Sequence, residues 1–199
     1  MASPHGPAFD RLPVETQKKI ARQLEIRKDN YLLALSRAYS CDVKVVILGD
    51  KPGPGRPTDP GWHHTPFYST RQSSLWLNRL LVDCGIDEHD LLWFNVEHAN
   101  GKPLDPIHLR DLERFRPTFI CLGGQAEMWM RRNAPTSRYE KVFHPQFVRR
   151  FKSREPYELI DLIKKAVHDK RPSISSASVN NSAHGTISDV PGLDHPIKS

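Results

Sequence analysis

Cysteine is scarce in this chain. Cys41, Cys84 and Cys121 stand far apart among 199 residues, with no C-x-x-C pair and no histidine at zinc-ligand spacing. So sparse and odd a set argues against structural zinc, a four-cysteine iron–sulfur cluster or a secreted disulfide scaffold. No metal and no cofactor are expected, and the thiols should stay reduced in a cytoplasmic protein. Long apolar runs are missing too. Nothing approaches the roughly 20 residues that span a bilayer, and the opening MASPHGPAFDR has no apolar centre of a signal peptide. Gly49–Gly55 lacks the G-K-[S/T] ending of a phosphate-binding loop, and no G-x-G-x-x-G follows a strand. Nucleoside triphosphate hydrolysis and a dinucleotide cofactor are therefore not supported. Hydrophobic residues make up only 38%, so part of the chain is expected to be disordered. Acidic residues are outnumbered, 23 against 29 Lys and Arg, for a net charge of +6. Such an excess suits a polyanionic partner, nucleic acid being the commonest.

What is present divides the chain into one domain over 1–169 and a tail over 170–199. The tail holds seven serines and three prolines with almost no apolar periodicity, and reads as disordered. Residues 1–13, with three prolines, read as a loose lead-in. From 14 to 40 the pattern is helical, with Ile20, Leu24, Tyr31, Leu32, Leu35 and Tyr39 at three- and four-residue steps. Val43–Leu48 is a β-branched apolar run, predicted to be a buried parallel strand that ends in the Pro- and Gly-rich loop Gly49–Gly55. Further strands are predicted at 91–94, 118–122 and 141–143. Helices are predicted near 71–85, 106–115, 125–132 and 155–168. Strands alternating with helices imply a three-layer α/β/α fold around a mostly parallel four-stranded sheet. Ligands in such folds sit beyond the carboxyl ends of the strands, where Gly49–Gly53, Asn95, Gly123-Gly124 and His144 fall.

Three of these strand ends carry motifs. They are Val46-Ile47-Leu48-Gly49-Asp50-Lys51-Pro52-Gly53 with the later Thr65-Pro66-Phe67, then Leu92-Trp93-Phe94-Asn95-Val96, then Val142-Phe143-His144-Pro145-Gln146-Phe147. In order and spacing, over roughly 43–165, they resemble the uracil-DNA glycosylase superfamily, above all its branches with a G-E-x-P-G first motif. The resemblance implies a glycosylase-like fold and an enzyme, a monofunctional DNA glycosylase that hydrolyses the N-glycosidic bond of a flipped pyrimidine and leaves an abasic site. It also implies DNA as partner, a monomer, and a role in base excision repair or in defence against phage DNA with modified bases.

The chemistry is consistent with those residue types. Breaking the bond puts positive charge on the sugar and negative charge on the departing base, so donors must face the base oxygen. His144 matches the histidine of the family's third motif, which can donate to that oxygen. Asn95 matches the asparagine that reads the base, its amide offering both a donor and an acceptor. Phe67 matches the phenylalanine that stacks on the base. Gly49, Pro52 and Gly53 complete the expected base pocket. Gln146, Phe147, Val148, Arg149, Arg150 and Lys152 match the segment that enters the duplex, with Phe147 or Val148 filling the gap and the cations holding phosphates.

The first motif departs from the family. Asp50 stands where the related branch has glutamate, and Lys51 where the best-known branch has its water-activating aspartate. A protonated lysine is no general base, which leaves three routes. Asp50 orients the water, or the DNA phosphates and His144 do most of the work, or Lys51 attacks the sugar in a lyase reaction. Gly53 stands where the uracil-specific branch has a tyrosine against pyrimidine C5, so the pocket would admit C5-modified pyrimidines as well as uracil. Two other readings remain at this level: a non-catalytic DNA-binding module on the same fold, favoured by Lys51, and an enzyme of nucleosides or nucleotides.

Overall fold

The structure, a computed structural model, describes residues 6–39, 43–51, 65–70, 72–98 and 100–169. Four strands form its centre: β1 (Val45–Gly49), β2 (Leu91–Asn95), β3 (Thr118–Leu122) and β4 (Tyr139–Val142). They lie side by side in the order β2-β1-β3-β4, and all three pairings are parallel. Every residue of β1 and β2 is buried, as expected for a sheet covered on both faces. The seven α-helices among the described residues are α1 (Pro7–Asp10), α2 (Val14–Leu35), α3 (Gln72–Asp83), α4 (Ile107–Glu113), α5 (Gly124–Asn133), α6 (Pro145–Phe151) and α7 (Glu158–His168).

Strand alternation decides which helix meets which face. Val46 and Leu48 of β1 and Leu92 and Phe94 of β2 point to a core with Leu109 and Leu112 of α4 and Ala126 and Met130 of α5. Val45, Ile47, Leu91 and Trp93 point the other way, to Leu77 and Leu81 of α3, Val148 of α6 and Leu159 and Ile163 of α7. The three layers expected from the sequence are thus present. The long helix α2 covers the β2 edge, where Asn30 donates to the carbonyls of Glu88 and Leu91 at 3.0 and 3.1 Å. At the other edge, β4 is short and exposes Glu140 and Lys141, charges that discourage further pairing.

Several expectations need correction. The lead-in is not loose throughout. Pro7 starts a turn of helix and drops Phe9 into a small core with Ile20, Leu24 and Leu75. The buried stripe of α2 is Ile20, Leu24, Arg27, Tyr31 and Ala34, whereas Leu32 is exposed. Leu32 sits about 100° around the helix from Tyr31 and cannot share its face. The segment after His144, where no helix was predicted, is the helix α6, with Pro145 at the first position that tolerates a missing N–H. The tail over 170–199, Cys41, Pro52 and Gly53 lie outside the described residues.

Candidate functional site

The spatial order β2-β1-β3-β4 places a switch point between β1 and β3. After β1 the chain departs to one side of the sheet, and after β3 to the other. The carboxyl ends that flank this point hold the residues singled out above. Gly49 and Asn95 are partners in the β1–β2 register. A methyl group at Gly49 would lie 2.9 Å from the Asn95 Oδ1 and 3.2 Å from Pro66 Cβ, so only glycine lets the buried asparagine and the Pro66 loop close together. Gly123 adopts φ +93°, and a Cβ there would meet His144 Cβ at 3.3 Å. The backbone beneath the histidine is therefore also kept bare.

His144 is the N-cap of α6. Its Nδ1 accepts the backbone N–H of Gln146 at 3.2 Å, which in the neutral ring places the proton on Nε2. The imidazole is thus set as a donor from Nε2. Burial pushes its pKa below the usual 6.5, while the nearby Asp50 carboxylate pulls it partly back. The Phe67 ring lies against it, centroids 5.6 Å apart at 44°, and also meets Trp93 edge-on at 6.3 Å.

Phe67 holds a left-handed backbone, φ 55°, a strained state for a bulky residue that surrounding structure must impose. The restraint is visible. The fully buried Arg27 donates Nη1 to the carbonyls of Pro66 and Phe67, both at 3.3 Å. Asn78 donates Nδ2 to the carbonyls of Phe67 and Ser69 at 3.1 and 3.0 Å. Arg27 in turn pairs with the buried Glu88 and lies 4.2 Å over the Trp93 ring. Glu88 also accepts the Trp93 indole N–H at 2.9 Å. A buried ion pair so fully hydrogen-bonded positions its surroundings more than it adds net stability.

The structure brings together Gly49, Asp50, Phe67, Asn95 and His144. Lys51 follows directly and is exposed. Gln146, Phe147, Arg149, Arg150 and Lys152 lie on α6 or at its end, beside the site. Arg149 is tied to Ser73 Oγ at 3.1 Å, and Lys152 to Glu155 at 2.9 Å. Val148 does not join them. It is 3% exposed and packs against the sheet, so it anchors α6 and cannot enter DNA. A cavity bounded by Asn30, Leu33, Tyr39, Val43, His89 and Leu91 lies by the opposite, amino ends of β1 and β2 and is no part of this site.

Sequence reasoning overlooked Arg27, Asn78 and Glu88. One signal was there: position 27 falls on the apolar stripe of α2, where an arginine must find a buried partner. Among the described residues no group of three or more His, Cys, Asp or Glu could hold a metal ion, and no helix is long and apolar enough to cross a membrane. No protein-family model and no curated protein matches this chain.

Proposed function

We propose that this chain is a DNA glycosylase of the uracil-DNA glycosylase kind, which removes an extrahelical pyrimidine and leaves an abasic site. The observation that carries the reading is His144. Its cap hydrogen bond and its place against Phe67 and near Asp50 make it a fixed Nε2–H donor at the carboxyl end of the sheet, where β1 and β2 finish at the paired Gly49 and Asn95. A base stacked on Phe67 would present O2 to that donor and its pairing edge to the Asn95 amide. As the N-glycosidic bond breaks, its electron pair passes to the base, and the donor meets the charge growing on oxygen. Water then adds to the sugar C1′ and loses a proton. Asp50, the residue directly after β1, is the carboxylate that would hold that water. Uracil and C5-modified pyrimidines, including hypermodified phage bases, are the substrate class, and a cytoplasmic monomer acting on DNA is the setting. Lys51, a cation where the best-known branch of the family has a carboxylate, favours a second reading, a DNA-binding module without catalysis.

Both are separated by offering purified protein DNA that carries one uracil, one hydroxymethylcytosine or one glucosylated hydroxymethylcytosine, each single-stranded and in duplex. Alkaline cleavage scores the abasic sites. The expected result is cleavage at one or more of these bases, lowered about 100-fold or more in His144→Ala and also lost in Asn95→Ala. DNA binding with no abasic site on any substrate would overturn the enzyme reading in favour of the module.

A further inference from the structure

Where β4 passes into α6, three aromatic rings line up on the surface. Phe143, Phe147 and Phe151 are 55%, 40% and 71% exposed. Successive centroids are 5.1 Å apart, at 27° for the first pair and 46° for the second. Phe147 and Phe151, four residues apart, share the outer face of α6, while Pro145 and Val148 are buried on its inner face. Single exposed apolar side chains are ordinary, but three in a contiguous row mark a binding face.

Charge selects the occupant. From Lys141 to Arg154 the chain has five lysines and arginines and no aspartate or glutamate. Arg150 and Arg154 are exposed, and Lys152, whose ammonium pairs with Glu155 at 2.9 Å, sits 5.4 Å from the Phe143 ring centroid. A row of π faces edged by cations matches a polymer with free bases and a phosphate backbone. Duplex DNA hides its base faces in its own stack, and the gap left by one flipped nucleotide takes one wedge, not three rings. A second copy of this chain would bring the same cations against these.

We propose that the Phe143–Phe147–Phe151 ridge is a stacking platform for unpaired bases, so that the chain takes single-stranded DNA. The target base sits at His144 and its neighbours along the strand stack on the ridge. This deepens the glycosylase reading and rests on it only for the fate of the seated base.

Fluorescence anisotropy tests it, with labelled oligothymidylate and a duplex of equal length, neither holding a uracil or modified base. The single strand should bind about tenfold or more tightly than the duplex. Phe147→Ala and Phe151→Ala should each weaken it about tenfold, with Phe151→Tyr close to wild type and the thermal melt of Phe151→Ala unchanged because that ring is 71% exposed. Equal affinity for the two forms, or alanine variants that bind like wild type, would overturn the proposal. So would tighter binding of oligouridylate, which makes the occupant RNA, or a dimer in sedimentation that the alanine variants disperse. Failure of the glycosylase reading shows separately, as absent abasic sites on uracil-bearing DNA.

Discussion

At the scale of the residue, His144 couples protonation to structure. Its Nδ1 is a hydrogen-bond acceptor in the cap of α6, and a proton there would break that bond. Burial lowers the folded-state pKa below 6.5, so between that lowered value and 6.5 the unfolded chain binds more protons than the folded one. The histidine's contribution to stability is therefore full above 6.5 and is lost as pH falls through the folded value. Titration of the His144 ring by NMR should give a midpoint below 6.5. Asp50→Asn should move it lower still, since the carboxylate favours the charged ring. A midpoint at or above 6.5 would mean that the ring is solvated and not seated against Phe67.

At the scale of the element, α2 is tied to the site through a buried charged side chain, Arg27. Arg27→Met should cost about 3–5 kcal/mol in urea unfolding, because Glu88 is left charged and buried. Replacing both, Arg27→Met with Glu88→Met, should cost less than the sum of the single changes. Base removal should stay impaired in that double variant, since the Pro66 and Phe67 carbonyls have lost their donor. A double variant as active as wild type would reduce Arg27 to a packing residue. Elements of this kind were legible in part. The strands and most helices follow from apolar runs and three- to four-residue spacing, which depend on local sequence. The α7 start was placed early, at 155; Pro156 and an extended Tyr157 hold the helix back to Glu158. Helix α6 was not predicted, although Pro145, the apolar Val148 and the Phe147–Phe151 spacing are helical signals. Asn95 and His144 were legible because they end strands. Arg27 and Glu88 were not, because their pairing spans 61 residues and no local pattern announces it.

At the scale of the whole molecule, the net charge of +6 and the basic run from Lys141 to Arg154 make affinity for DNA a matter of ions as well as contacts. The logarithm of the binding constant should fall linearly with the logarithm of salt concentration. Arg150→Glu should weaken binding to every DNA sequence alike and reduce the slope by about one; an unchanged slope would place the phosphates elsewhere. The sheet has a further consequence, in time rather than space. All three of its pairings are parallel, so none can close through a tight hairpin, and each waits for a crossover to be made. High contact order of this sort slows folding, and synthesis runs from the amino end. Gly49, Phe67 and Asn95 leave the ribosome well before the N–H of Gln146 that fixes the imidazole proton. A growing chain that has not yet released α6 thus has a sheet to assemble but no oriented donor, and any chemistry at this site begins only after β4 and α6 have docked.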